Sequence, residues 1–169
     1  MKNRLEKRLI ENLISLKNTK GVNGDSHLIP LYDHLKNELV NNGKLIASKK
    51  IVNGPFTKDF DIVFSDAKGK HAIELKSISS SFGKSFNHRI EEMCGQALMA
   101  KEMFNLRSFS YVFVVNETSE SVKKMYLERL NECGARLLSA DLLRNFVFIR
   151  AKESGLIYEN EYTFSKWRF

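Results

Sequence analysis

Three residues of this chain have types and spacing that suit phosphoryl chemistry: Asp61, Glu74 and Lys76. Glu74 and Lys76 are two apart in the run Ala72-Ile73-Glu74-Leu75-Lys76, so on a strand they leave the same face. Asp61 lies mid-strand in a second apolar run, Phe60-Asp61-Ile62-Val63-Phe64, and a short connection brings it back beside Glu74. A charge inside an apolar strand is costly unless it is paired or bound to metal. Two adjacent carboxylates repel, and a divalent cation relieves that repulsion; hard oxygen ligands of this kind suit Mg²⁺. A neighbouring ammonium holds or polarises an attacking water, or stabilises charge developing on phosphorus. Asp59, two residues before Asp61 on the same side, competes for the ligand role. An E-x-K triplet alone is common on ordinary sheet faces; its weight here comes from the apolar strands that carry it.

The elements that must position these groups follow from hydrophobic periodicity. Leu5, Leu9, Leu13 and Leu16 make one apolar stripe and predict a helix over 3–17. The turn-rich stretch 18–26 ends it. A second helix is expected over 29–42, with Leu28, Leu31, Leu35 and Leu39 inward and Asn42-Gly43 as its stop. Residues 44–52 read as a strand, and 53–55 as a turn. Residues 58–65 read as a strand with Phe60, Ile62 and Phe64 on one side and Asp59, Asp61, Val63 and Ser65 on the other. Residues 66–70 close a hairpin into a return strand over 71–78. A Ser/Gly-rich loop over 77–85 then leads to a helix from Asn87, its N-cap, to Phe104. Ile90, Met93, Cys94, Ala97, Ala100 and Phe104 line its buried side, while Arg89, Glu92 and Gln96 share another face. The apolar run 109–115 reads as a strand buried on both faces. A helix over 118–133 stopped by Gly134, a strand over 135–139, a short helix over 141–145 and a strand over 146–151 complete the pattern. An aromatic tail over 150–169 carries Tyr158, Tyr162, Phe164, Trp167 and Phe169. The implied fold class is α/β (α+β): a central mixed sheet flanked by helices, with three antiparallel strands first and later strands added by helical crossovers.

Asp61, twelve intervening residues and then Glu74-Leu75-Lys76 resemble the signature of the PD-(D/E)XK nuclease superfamily, the group of many restriction enzymes and Holliday-junction resolvases. The αβββαβ order of its restriction-endonuclease-like core matches residues 29 to 115. Phe60 stands where the signature has proline. The segment Glu92-Met93-Cys94-Gly95-Gln96-Ala97-Leu98 is similar to the Gln-bearing helix that many members place beside the site. Ala100 stands where a repair-exonuclease branch has tyrosine, which argues against that branch. Glu38 resembles the extra acidic residue of the helix before the first strand. The resemblance implies Mg²⁺-dependent phosphodiester hydrolysis, with Mn²⁺ as a substitute. Asp61, Glu74 and the Leu75 carbonyl would hold the metal, and Lys76 would position the water. Gln96 and Glu38 would be accessory. DNA, duplex or branched, is the implied partner, and a homodimer is implied by the need to cut two strands. RNA stays open as a substrate. The alternative is a non-catalytic nucleic-acid-binding or assembly module on the same fold.

The chain has 169 residues, with 27 Lys+Arg against 20 Asp+Glu, a formal charge of +7. Its length and 43% apolar content fit one domain over 1–169, with a core at about 29–140, and exclude a disordered chain. No apolar run reaches the length of a membrane span, and the charged N-terminus is not a secretory signal, so a cytoplasmic location is expected. Cys94 and Cys133 form no CxxC pair, which excludes a zinc knuckle and fits free, semi-buried thiols. His27, His34 and His71 read as structural or exposed. No nucleotide-cofactor motif is evident. Lys84, His88 and Arg89 fall in the loop and first helical turn after the E-x-K strand, where cations suit a phosphate. Lys49, Lys50, Lys58, Lys68 and Lys70 cluster on the two hairpins and read as a basic rim around an acidic centre.

Overall fold

The computed structural model describes residues 2–15, 25–79, 82–117 and 121–159. Six strands form one mixed sheet in the order β1 (Leu45–Ile46), β4 (Ile62–Asp66), β5 (Gly69–Ile78), β6 (Ser108–Asn116), β7 (Asn145–Lys152) and β8 (Gly155–Tyr158). β2 (Lys50–Asn53) and β3 (Phe56–Asp59) form a separate two-stranded ribbon. The β1–β4, β4–β5 and β7–β8 pairs are antiparallel, whereas β5–β6 and β6–β7 are parallel. The parallel pairs need crossovers, which α3 (Phe82–Glu102) and α4 (Lys124–Ser139) supply.

Strand alternation splits the core into two layers. Ile62, Phe64, Ile73, Leu75, Val112, Val114, Val147 and Ile149 face one side, where α1 (Lys2–Ser15) and α2 (Ile29–Asn41) pack through Leu9, Leu13, Leu31, Leu35 and Leu39. Val63, Ala72, Ile78, Tyr111, Phe113 and Phe148 face the other, under α3 and α4. Glu74 has the parity of Ala72 and Ile78, so it points into this second layer. The inward leucines of the second helix, the buried strand at 109–115 and the mixed sheet flanked by helices all stand as the periodicity predicts. Leu5 and Leu16 of the predicted stripe and the aromatic tail beyond 159 lie outside what can be described side chain by side chain.

Several elements differ from the sequence reading. The expected strand 44–52 is two short strands, because exposed Ser48, Lys49 and Lys50 carry the chain off the sheet into the β2–β3 ribbon. The expected strand 58–65 is also broken. Phe60 turns into the α3 layer, packing edge-on to Phe104 and Phe109 at 5.7 Å each, so it does not share a side with Ile62 and Phe64. Asp61 therefore sits at the bend before β4, not mid-strand. The helix expected from Asn87 starts at Phe82, because Phe82 and Phe86, one turn apart, are both buried and extend its apolar stripe. The expected helix 118–133, strand 135–139 and short helix 141–145 are replaced by α4 and a turn; residues 118–120 lie outside the described set. Gly134 is not a stop. It lies inside α4, where a Cβ would meet the Phe146 ring at 2.1 Å, so its smallness permits close helix–sheet contact. β8 was not anticipated within the tail.

Candidate active site

β4 begins at Ile62, so beyond Ile73 the edge of β5 that faced it has no ladder partner. Asp61 occupies that edge. Its Oδ2 accepts the Leu75 N–H at 2.8 Å, and its own N–H points to Glu74 Oε2 at 3.4 Å. In an extended strand the N–H and C=O of one residue point the same way. The Leu75 carbonyl therefore faces the Asp61 side, as the sequence reading requires of a ligand. Asp59 instead ends β3, exposed and in register with Lys50.

Glu74 is 3% exposed. Its Oε1 accepts from Lys76 Nζ at 3.0 Å and from Gln96 Nε2 at 3.2 Å. Gln96 Nε2 also reaches Glu92 Oε1 at 3.2 Å, and Lys76 Nζ lies 3.6 Å from that same oxygen. Arg89 closes the group through Glu92 Oε2. The predicted shared face of Arg89, Glu92 and Gln96 is thus real, and it points at the E-x-K strand. Burial, then the neighbouring Asp61 charge, push the Glu74 carboxyl above the usual glutamate range. Burial opposes charge on Lys76, but Glu74, Glu92 and Asp61 outweigh it and raise the ammonium further. Glu92 is lowered: burial works against its charge, but the Arg89 hydrogen bond and Lys76 prevail.

Among the described residues two polar atoms in this layer are buried without a hydrogen-bond partner, Gln96 Oε1 and Tyr111 Oη. Tyr111 stands in register with Glu74 on the adjacent strand and faces the same layer. Burial, followed by the Glu92 and Glu74 charges, raises its phenol far above the ordinary value. Sequence reasoning missed Tyr111 because a lone tyrosine inside 109–115 looks like core. It noted Glu92 on the right face but gave it no role. Both follow once the strand register is known.

The other candidates are dispersed. Lys58 is half-buried with Nζ 5.0 Å from the Phe60 ring centroid, and its charge acts on Glu74. Lys49 Nζ lies 4.7 Å from the Tyr32 ring centroid, and Lys50 is exposed on β2. Lys84 is in the first turn of α3, but His88 and Arg89 lie beyond it, since the helix starts five residues before Asn87; they do not flank a helix N-terminus. Lys68 and Lys70 sit at the β4–β5 turn, the opposite end of the hairpin from Glu74, and do not frame the site. Glu38 is on α2, in the layer across the sheet, with His34 one turn away. Cys94 and Cys133 are free, as expected, with Sγ atoms 3.4 Å apart between α3 and α4. His71 is structural: it bonds Ser108 and Asp66 and stacks on Phe64 at 4.8 Å.

Among the described residues no three His, Cys, Asp or Glu side chains converge as a metal cage. The donor set is smaller: two adjacent carboxylates and a backbone carbonyl. That set fits Mg²⁺, which keeps several of its waters. The repulsion that raises Glu74 and the unpartnered Gln96 and Tyr111 oxygens are what a hydrated cation would relieve.

No family model matches the chain, and no curated protein matches it. Two solved structures are similar. One is SfsA of Pyrococcus furiosus in complex with Ca²⁺, at 16% identity and a TM-score of 0.39, covering 78% of this chain and 60% of that one. The other is an FdxN element excision controlling factor protein from Anabaena variabilis, at 16% identity and a TM-score of 0.37, covering 76% of this chain and 97% of that one. This chain spans about 60% of the length of the SfsA structure. No helix among the described residues is long and apolar enough to cross a membrane.

Proposed function

We propose that the chain is a Mg²⁺-dependent endonuclease that hydrolyses phosphodiester bonds in DNA, with the PD-(D/E)XK arrangement at its centre. The observation that carries this reading is the Asp61 carboxylate held on the Leu75 N–H, directly beside buried Glu74 and its Lys76 partner. A second carboxylate against a buried one is costly, and carboxylates perturbed in this way cluster at functional sites.

Asp61, Glu74 and the Leu75 carbonyl would hold the metal. When bound, the cation supplies Lewis acidity at the phosphoryl oxygen and lowers the pKa of a bound water. Lys76 orients the attacking water through its Nζ and balances the negative charge that grows on phosphorus. Glu92 shares Lys76 with Glu74 and so fixes where the ammonium points. Gln96 donates to Glu74 and Glu92 and ties the two carboxylates together. A homodimer would supply two such sites for the two strands of a duplex.

The test is incubation of the purified chain with supercoiled plasmid, linear duplex and four-way junction DNA, with Mg²⁺, Mn²⁺ or chelator. Metal-dependent cleavage by wild type, lost in Glu74→Gln and Lys76→Ala with DNA binding retained, is the expected result. Binding without cleavage on every substrate overturns the enzyme in favour of the binding module.

A further inference from the structure

A basic cleft lies at the other end of β5. Its volume is about 630 Å³, it opens at the N-terminal edge of β5, β6 and β7, and Lys44, Lys68, Lys70, Lys101, Arg107 and Arg144 line it. Two carboxylates answer them. Asp66 is consumed by Lys44 at 2.8 Å and His71 at 3.0 Å, and those bonds hold its carboxyl well below the usual range. Asp141 lies 3.8 Å from Lys101. Among the described residues Lys68, Lys70, Arg107 and Arg144 have no carboxylate within ion-pair distance. Four such cations around one cleft repel one another, which is a cost to folding that a bound anion reverses.

The cleft is built, not frayed. The Arg107 N–H donates to the Lys70 carbonyl and the Arg144 N–H to the Phe109 carbonyl, both at 2.7 Å, so each arginine is stitched to the sheet edge. Asn105 and Asp141, with φ of 48° and 55°, turn the chain sharply after α3 and α4 into the cleft. Helix C-termini explain one cation: Lys101, in the last turn of α3, bonds the Asp141 carbonyl at 3.3 Å. They do not explain Lys68 and Lys70, which come from the hairpin, or the arginines beyond the helices.

We propose that this cleft is a second nucleic-acid contact, taking the sugar–phosphate backbone and not the bases. The inference rests on the reading that the chain acts on nucleic acid. Arginine and lysine together suit phosphate oxygens. Phe109, the aromatic of the lining, is 3% exposed and offers no face for stacking a base. The cations come from several separate segments of chain and form no glycine-rich cradle, which suits successive phosphates of a strand over one nucleotide. The core over Ala72, with Phe60, Phe104 and Phe109, separates the cleft from Glu74. The two sites therefore hold different stretches of backbone.

The test is fluorescence anisotropy of the full chain with a labelled DNA duplex and single strand, in chelator, across a salt series. Arg107→Ala/Arg144→Ala and, independently, Lys68→Ala/Lys70→Ala are expected to bind about tenfold or more weakly, with the salt slope reduced by about 2 in each. Thermal melts verify that both variants fold. Unchanged affinity and slope in both variants overturn the proposal. So does displacement of the duplex by ATP or inorganic phosphate at matched ionic strength, which would mark a small-anion site. Cleavage by wild type with full binding by the cleft variants removes only the cleft. Cleft-dependent binding with no cleavage removes only the hydrolase.

Discussion

Glu74 and Glu117 are both buried carboxylates on strands of the same sheet or at their ends, 3% and 8% exposed, yet their surroundings differ in kind. Glu117 is fully answered. Its Oε1 takes the Val122 N–H at 2.6 Å, and its Oε2 takes Arg150 Nε at 2.7 Å with Lys152 at 3.9 Å. Arg150 in turn reaches Glu159 at 2.6 Å. Glu74 has donors too, but it also has Asp61 against it, a raised carboxyl, and the unpartnered Gln96 and Tyr111 oxygens in its layer. The first network satisfies a charge at the end of β6. The second keeps a desolvated carboxyl beside a like charge, and shares its Lys76 partner with Glu92. Burial alone does not separate structure from site; what is left unanswered does.

The largest effect that follows is on Glu74→Gln. Plasmid cleavage should fall by about 10³-fold or more, the several kcal/mol expected on losing a metal ligand. Its effect on stability should depend on pH. Glu74 is raised in the folded chain, so the folded state holds that proton more tightly than the unfolded state. The associated stability is complete below the ordinary glutamate pKa and is lost as pH rises through the raised value. Above that raised value the wild type carries this loss and Glu74→Gln does not, so in chelator the variant should gain on wild type in melting temperature as pH rises and lose that gain as pH falls. Mg²⁺ should raise the wild-type melting temperature, and more so at higher pH, while leaving Glu74→Gln unmoved. A gap in melting temperature that does not change with pH would make Glu74 a second Glu117.

Glu117→Ala should behave in the opposite way. It strands Arg150 with Glu159 alone and removes the acceptor of the Val122 N–H, a loss of about 3 kcal/mol by chemical denaturation. Cleavage per folded molecule should be unchanged. Tyr111→Phe comes next: its Oη has no partner to lose, so stability should hold or rise slightly. If that hydroxyl answers a water or ligand at the carboxylates, kcat should fall by about tenfold with KM unchanged. Equal kcat would return Tyr111 to the core.

The two regions were not equally legible in the sequence. Asp61, Glu74 and Lys76 stand out because charges inside apolar runs break a pattern, and the two-residue spacing of Glu74 and Lys76 puts them on one strand face. The helix face of Arg89, Glu92 and Gln96 was readable from three- and four-residue spacing. Nothing local could reveal Tyr111, whose place opposite Glu74 depends on a parallel register between strands joined by a crossover. Glu117 and Arg150 are 33 residues apart and meet through β6–β7 pairing. Gly134 misled for a similar reason. Glycine usually ends a helix, but here the Phe146 ring, twelve residues on in β7, requires it mid-helix. Local chemistry was readable; contacts set by register between distant strands were not.

The smallest expected effect is at Glu38, and it tests whether family likeness or placement governs the comparison. Likeness gives Glu38 an accessory role at the metal. Placement puts it on α2, whose leucines pack on the face of the sheet opposite Glu74. Its neighbour there is His34, whose imidazole burial lowers and Glu38 partly restores. If placement governs, Glu38→Gln should leave cleavage within about twofold of wild type, since surface changes away from a site rarely exceed ~0.5 kcal/mol. It should instead move His34: without the Glu38 charge that opposes burial, the imidazole titrates lower still, which NMR of the ring protons would read. A loss of cleavage comparable to Glu74→Gln would mean that α2 and the carboxylate edge of β5 act together across the sheet, and the boundary drawn between site and scaffold would have to include that helix.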